Sequence, residues 1–278
     1  MQFKFICFKI SRIFMFSCLF FGLDICGQIV EDTMVLKKPI SSKSAFKDGE
    51  WLQFRIHYGI FNASYASVTL KADTIKGTPV IHAKGYGKST GLLRFFFRVE
   101  DHYDTFFDTK FTQPLKFIRN IDEGGYTKNL TIEFDQQNHL AFVNDIKNKE
   151  KSFYSIKENT QDLLSTFYYL RNYYPSKNFL NQTFKVNMFF DKENYEFNLK
   201  YLGVENLETK FGKIECMKLI PVVQKGRVFR EDEGIVLWVS NDRNRIPIRM
   251  QANLVIGSIK CDLENFKNIK HPFKVKVN

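Results

Sequence analysis

The sequence predicts a mainly β protein with one large, curved antiparallel sheet, a half-barrel or open-barrel meander, and one amphipathic helix packed on it near residues 160–173. Apolar and polar residues alternate with a period of two in runs between residues 52 and 254, and turn-forming residues separate these runs. Only one segment has clear helical spacing instead. The alternation gives each strand one buried and one solvated face, which is typical of antiparallel strands that cover a core on one side.

The alternating runs predict the strands directly. The clearest runs are 52–58, 66–72, 130–134, 184–190, 195–201 and 246–254. Gly124-Gly125 lies between two such patterns and predicts a hairpin, and Asp- and Asn-containing turns are predicted at 135–138, 191–194 and 241–244. Consecutive hairpins predict a meander of roughly a dozen strands. Pro221 and Pro247 lack an amide hydrogen, so each should lie at a sheet edge or a bulge.

The segment from Asn159 to Arg171 has the spacing of a helix. Its apolar positions are Leu163, Leu164, Phe167, Tyr168 and Leu170. Asn159 or Thr160 can cap the first turn, and Pro175 should end the helix. A lone amphipathic helix among strands has to bury its apolar stripe against the sheet. A second, shorter helical turn is predicted at 89–96.

The start of the chain predicts export. Lys4, Lys9 and Arg12 precede an apolar run over 13–23, which is the pattern of a secretory signal peptide at residues 1–27. Export to the periplasm or cell surface follows. Free export is favoured over lipid anchoring, because Cys26 follows Asp24 and Ile25 rather than a small residue, and Cys18 lies inside the apolar core. Of the 278 residues, 44% are hydrophobic, which is too many for a disordered protein.

The remaining chain divides by pattern into three parts. Residues 28–48 are polar and without periodicity, which predicts a flexible linker; 49–266 form a single β domain; and 267–278 form a basic C-terminal tail. The signal would remove three basic residues and one acidic residue, which lowers the net charge from +11 to +9. Such a charge suits a lipid, a lipoprotein, an anionic glycan or a peripheral contact with the envelope, although a solvated surface is the simpler explanation. Export argues against nucleic acid.

Residues that could carry chemistry are sparse. Glu100, His102 and Asp104 would share one face of a strand, where they could serve a hydrolase or simply form a solvated surface, which we favour. The common hydrolase, redox and metal motifs are absent from the sequence, so we expect no metal, no cofactor and, on balance, no enzyme. Cys216 and Cys261 could form a disulfide after export, or be two small buried thiols.

Paired phenylalanines at 95–97, 106–107 and 189–190 are the unusual feature, because one member of each pair in a strand should face solvent. Either protein covers both faces there, or one aromatic set lines a cavity. If a cavity exists, the residues that we predict to bind its ligand are Phe95, Phe96, Tyr168 and Tyr169, with Arg119 and Tyr126 beside the hairpin for a polar headgroup.

An ordered set of short motifs resembles a known family. The motifs are Gly49-Glu-Trp-Leu52, Tyr58-Gly59, Ser89-Thr-Gly-Leu-Leu93, Glu123-Gly-Gly-Tyr126, Asp162-Leu-Leu-Ser-Thr-Phe-Tyr-Tyr-Leu-Arg171, Gly212 with Cys216 and Pro221, and Asn244-Arg-Ile-Pro247. Over about residues 46–266 they resemble the exported bacterial family known as domain of unknown function 3108. This resemblance implies a predominantly β periplasmic protein and assigns no catalytic residue. The arrangement is also similar, at the level of fold alone, to the half-barrels of lipoprotein and lipid carriers.

The leading hypothesis is therefore an exported envelope protein that binds an apolar or amphiphilic molecule, such as a lipid, lipoprotein or glycolipid, in a curved sheet. One alternative is a non-enzymatic structural or interaction module that docks through a sheet edge or the basic tail. A second alternative is a secreted hydrolase with a dispersed site.

Overall fold

The computed structural model describes residues 33–35, 44–172, 180–222, 234–254 and 256–275, and the predicted signal peptide lies outside them. They form strands β1 (Thr33–Val35), β2 (Trp51–Tyr58), β3 (Phe61–Ile75), β4 (Thr78–Ser89), β5 (Val99–Asp108), β6 (Pro114–Glu123), β7 (Tyr126–Asp135), β8 (Leu140–Asp145), β9 (Glu150–Ser155), β10 (Thr183–Phe190), β11 (Glu193–Thr209), β12 (Gly212–Val222), β13 (Ile235–Ser240), β14 (Pro247–Asn253) and β15 (Ser258–Lys267), with helices α1 (Gly91–Phe96) and α2 (Leu163–Arg171). None of the helices in these ranges is long and apolar enough to cross a membrane.

The fold class predicted from the sequence is confirmed. All fifteen described strands belong to one curved, open sheet in the order β1-β10-β11-β12-β13-β14-β15-β2-β3-β4-β5-β6-β7-β8-β9. Two meanders, β2 to β9 and β10 to β15, are joined because β15 pairs antiparallel with β2. Every neighbouring pair is antiparallel except β1 and β10, which are parallel. The hairpin at Gly124-Gly125 is present, and α1 is the short helical turn predicted at 89–96.

Both strand prolines lie where a missing amide hydrogen is tolerated, as predicted. Pro247 pairs with Val239 next to a register shift in the β13–β14 ladder. Pro221 pairs with Leu199 on one side, and the described β12–β13 ladder stops at Leu219, before Pro221. Pro221 is on β12 and Pro247 is on β14, so both strands neighbour β13. Within the described residues, neither proline interrupts the hydrogen bonds that its strand makes with β13.

Helix α2 fills the concave side of the sheet at the centre of the core. Tyr168 is fully buried against Phe46 and Phe107, whose ring centroids lie 4.8 and 5.6 Å from its own. Tyr169 packs on the opposite flank, against the buried residues of β10 to β13. The amphipathic stripe therefore has sheet on both sides, which explains why so short a helix is stable in a β protein.

The helix begins later than its sequence predicts. Asp162 is the N-cap: its carboxylate accepts the backbone N–H groups of Leu164 and Ser165, and the Ser165 hydroxyl accepts the Asp162 N–H. Asn159 and Thr160 are not the cap, because the chain before the helix first runs beside β10, where Gln161 pairs with Met188. Burial raises the pKa of Asp162 to about 6. The helix ends at Arg171, and Pro175 lies outside the described residues.

The domain extends beyond both boundaries drawn from the sequence. Part of the predicted linker 28–48 is folded: β1 joins the sheet, and Ala45 and Phe46 are buried. Part of the predicted tail 267–278 is also docked. The Asn244 side chain donates to the His271 carbonyl and accepts the His271 N–H, at 2.9 and 2.8 Å. Segments this short show no periodicity, so their burial depends on distant partners that the local pattern does not contain.

Consecutive antiparallel strands place alternate connections at opposite ends of the sheet. We call the upper end the one that holds the connections 59–60, 90–98, 124–125, 146–149, 191–192 and 254–257. Neighbouring connections at this end touch one another. The Tyr58 hydroxyl donates to the Ile256 carbonyl, and the Phe97 ring covers Gly124. Lys192, in the β10–β11 turn, pairs with Glu150 at 3.1 Å.

Candidate functional site

A row of small residues lines the concave face in the upper half of β3 and β4. Ser64 pairs with Ser89, and Ala66 pairs with Gly87. On the same face of β4, a Cβ placed on Gly85 would lie 3.3 Å from the Leu164 side chain of α2. Two residues nearer the upper end, a Cβ on Gly87 would meet no atom of the described residues within 4 Å, although Gly87 is buried. Open space therefore lies beyond the first turn of α2. We call it the upper chamber.

One wall of the upper chamber is polar and buried. Asp101, on β5, pairs in register with Gly87 and is 1% exposed. Burial, reinforced by the nearby Glu123 carboxylate, raises the pKa of Asp101 to about 8. Its carboxyl group is therefore mostly protonated at neutral pH and can donate a hydrogen bond as well as accept one. The pKa of Tyr103, two residues along the same strand face, is also raised by burial.

Arg119 supplies the positive charge of this wall. Its guanidinium donates to the Asp191 carboxylate at 2.6 Å and lies 4.7 Å from the Phe190 ring centroid. Burial opposes the charge, but Tyr103 and Asp191 raise the pKa of Arg119 above its ordinary value, so it stays protonated. Lys128 pairs with the same Asp191 carboxylate. The β10–β11 turn is thereby tied to β6 and β7.

Two buried polar atoms of the wall have no hydrogen-bond partner among the described residues: Oδ1 of Asp101 and Nε of Arg119. Buried polar atoms in native proteins are nearly always hydrogen-bonded, and one left unpaired costs about 1–3 kcal/mol. The Asp101 oxygen lies next to Gly87 in the strand register, and Arg119 lies on the same face one register step lower, in line with Tyr103. A carboxyl oxygen and a guanidinium N–H without partners are suited to a small polar group. The wall therefore has the chemistry of a headgroup site.

The pH dependence of folding tests the environment of Asp101. The pKa of Asp101 is about 8 in the folded protein and 3.8 for an ordinary aspartate. Its stabilising contribution is therefore complete below pH 3.8 and is lost as pH rises through about 8. We expect the free energy of unfolding in urea to fall between about pH 5 and pH 8 in the wild type, and to fall less in Asp101→Asn. Asp122→Asn, in the neighbouring strand β6, is the matched control and should keep the wild-type slope. Equal slopes in all three proteins would contradict a buried, protonated Asp101.

The structure separates the residues that the sequence proposed for ligand binding. Phe95 and Phe96 are 85% and 70% exposed on α1, and Tyr126 is 52% exposed beside the same end of the sheet. Arg119 is in the chamber wall. Tyr168 and Tyr169 are 0% and 1% exposed and enclosed by protein below the chamber, where the Tyr169 hydroxyl accepts from Asn159.

The proposed acid and histidine set is not assembled. Glu100, His102 and Asp104 lie on the outer face of β5, but each has a different neighbour. Glu100 pairs with Arg98 at 2.9 Å, and Asp104 forms a hydrogen bond with His82 at 2.7 Å. The His102 ring packs against the Tyr86 ring. Among the described residues, no group of three or more His, Cys, Asp or Glu side chains could hold a metal ion.

The two cysteines do not form the disulfide that the sequence allowed. Both thiols are free, and burial raises the pKa of each to about 12, so neither is a reactive thiolate at neutral pH. Cys216 is on β12 and Cys261 on β15, with β13 and β14 between them. Three strand spacings amount to about 14 Å along the sheet, whereas a disulfide needs Cα atoms within about 7 Å.

Sequence reasoning missed Gly87, Ser64 and Asp101. A signal for the first two exists, because Ser64-x-Ala66 and Gly85-x-Gly87-x-Ser89 are small residues with the period of a strand. The sequence around Asp101 gives no such signal, because a single aspartate in a strand is indistinguishable from one that faces solvent.

Comparison with known proteins places the chain in a family. No curated protein matches it. Among solved structures it is similar to a β-barrel-like protein of domain of unknown function DUF1849 from Brucella abortus, with 8% identity and a TM-score of 0.48 over 80% of this chain and 98% of that one. It is also similar to a DUF1089 family protein from Pseudomonas aeruginosa, with 11% identity and a TM-score of 0.38 over 69% and 92% of the two chains. The family model described as "Protein of unknown function (DUF3108)" matches residues 53–264, and the chain therefore belongs to the DUF3108 family.

Proposed function

We propose that this protein is an exported binding protein that holds an amphiphilic molecule, of the lipid or glycolipid class, in the upper chamber. The observation that carries the proposal is Gly87, which is buried and faces inward, yet has open space where a side chain would be. Cores are normally packed as densely as organic crystals, so unfilled space beside a buried glycine favours an occupant. Export is supported by the sequence of residues 1–27, which has the pattern of a secretory signal peptide.

The chemistry of the walls supports an amphiphile over a wholly polar or wholly apolar ligand. On one side of the small residues, β2 contributes the buried apolar side chains Phe54 and Ile56, which pair in register with Ala66 and Ser64. On the other side are Asp101 and Arg119, each with an available polar atom. One wall can therefore contact an apolar portion while the other hydrogen-bonds a polar group.

Filling the chamber tests this function. Gly87→Leu places a side chain where no atom of the described part of the chain lies within 4 Å of the new Cβ. The Gly87 backbone does not have the positive φ that favours glycine, so the fold should remain. We expect the wild type, purified without residues 1–27, to carry a discrete lipid-like mass in native mass spectrometry. The Gly87→Leu variant should lose it.

Thr69→Leu is the matched control, because it adds leucine to an exposed position of the adjacent strand β3. It should keep the bound mass, and Gly87→Ala should reduce it only in part. A wild type that is bare in repeated preparations, and that retains no added phospholipid or glycolipid, would overturn the proposal. Equal amounts of bound ligand in Gly87→Leu and wild type would show that the ligand binds outside the upper chamber.

A further inference from the structure

The upper end carries most of the large apolar side chains that the described residues expose. Eight of the twelve such side chains lie in its connections or in the strand residues next to them. They are Tyr58, Ile60, Phe61, Phe95, Phe96, Tyr126, Ile146 and Ile256, with exposed fractions between 40% and 88%. Scattered exposed apolar residues are ordinary on soluble proteins, but a set gathered at one end marks an interaction surface.

The connections at the same end carry more basic than acidic side chains. The described residues of these six connections contain five basic side chains and one acidic side chain. The basic ones are Arg94, Arg98, Lys147, Lys149 and Lys192, and the acidic one is Asp191, which pairs with Arg119 and Lys128. Strand carboxylates next to the tips offset part of this charge: Glu100 pairs with both arginines, and Lys192 pairs with Asp145 and Glu150. Apolar tips next to an excess of cations suit an anionic bilayer, because the tips can enter the acyl boundary while the cations stay among the headgroups.

We infer that the upper end docks on an anionic lipid bilayer and inserts Phe95, Phe96 and Ile60 into it. A second copy of the chain fits this surface less well, because a two-fold contact would place the same basic tips against one another. The inference uses only the exposed surface, so it holds or fails independently of a ligand in the upper chamber.

Vesicle binding tests the inference, using the chain without residues 1–27, since every described contact lies within 33–275. The probes are vesicles of phosphatidylglycerol mixed with phosphatidylethanolamine, and vesicles of phosphatidylcholine alone. We expect co-sedimentation with the anionic vesicles, weakening as salt rises, and little with the neutral ones. Phe96→Ser should weaken partition at least tenfold, since burying one aromatic side chain contributes about that much.

Phe153→Ser is the matched control, because Phe153 is also 70% exposed but lies on β9, away from the upper end. It should bind vesicles like the wild type, and so should Gly87→Leu, which separates this inference from the proposed ligand. Equal losses in Phe96→Ser and Phe153→Ser, or no binding to anionic vesicles by the wild type, would overturn it. A dimer in sedimentation velocity that Phe96→Ser converts to monomer would instead assign the surface to self-association.

Discussion

Glu50→Ala should lower the free energy of unfolding by about 3–5 kcal/mol, because it leaves a buried guanidinium without its counter-charge. The Glu50 and Arg171 side chains are 0% and 2% exposed and form a two-point contact at 2.5 and 2.9 Å. Arg171 also donates to the Asn244 carbonyl at 3.0 Å, so this single arginine links the end of α2 to the start of β2 and the β13–β14 connection. Chemical denaturation at neutral pH is the measurement.

Two further variants separate the buried charge from simple loss of packing. The double variant Glu50→Ala with Arg171→Met should regain part of the loss, because the unpaired charge is gone. Glu208→Ala removes a pair with Lys213 in which the glutamate side chain is 70% exposed, and should change stability by less than about 1 kcal/mol. A loss below about 1 kcal/mol in Glu50→Ala would show that the pair is not buried as described.

Tyr168→Ala should cost about 3–5 kcal/mol, as expected for removing a large, fully buried aromatic side chain. Its ring packs against Phe46, Phe107 and Phe167 at centroid distances of 4.8, 5.6 and 5.0 Å. The phenol oxygen has no hydrogen-bond partner among the described residues, so Tyr168→Phe should be neutral or slightly stabilising. Denaturant unfolding of both variants measures the difference.

An exposed aromatic residue gives the contrast for Tyr168. Phe96→Asp should leave the unfolding midpoint nearly unchanged, since Phe96 is 70% exposed on α1. If Tyr168→Phe lost a bound lipid without a change in stability, the Tyr168 hydroxyl would be a ligand contact, as the sequence analysis proposed. Similar midpoints for Tyr168→Ala and wild type would show that α2 is not the centre of the core.

The sequence contains enough to predict the strands, the helix and the sheet class, because period and turn chemistry are local properties. It could not place Phe46 in the core, since one aromatic residue in a polar segment has no period and its partners, Phe107 and Tyr168, are distant in the chain. The upper chamber could not be predicted from the sequence for a related reason. It depends on the register that sets Gly87 beside both Ala66 and Asp101, and on the first turn of α2, which lies below it at Leu164.

The pairing of β15 with β2 has a consequence for how the chain reaches its native state. Ile259 pairs with Tyr58 across 201 positions of sequence, so two neighbouring strands in the middle of the sheet come from opposite ends of the chain. Contacts of such long range carry a large loop-closure entropy and slow the folding rate. A chain that is synthesised from its N-terminus exposes the free edge of β2 until β15 has been made. An unpaired edge of this kind is prone to aggregate, so late folding under the protection of a holding chaperone suits this topology.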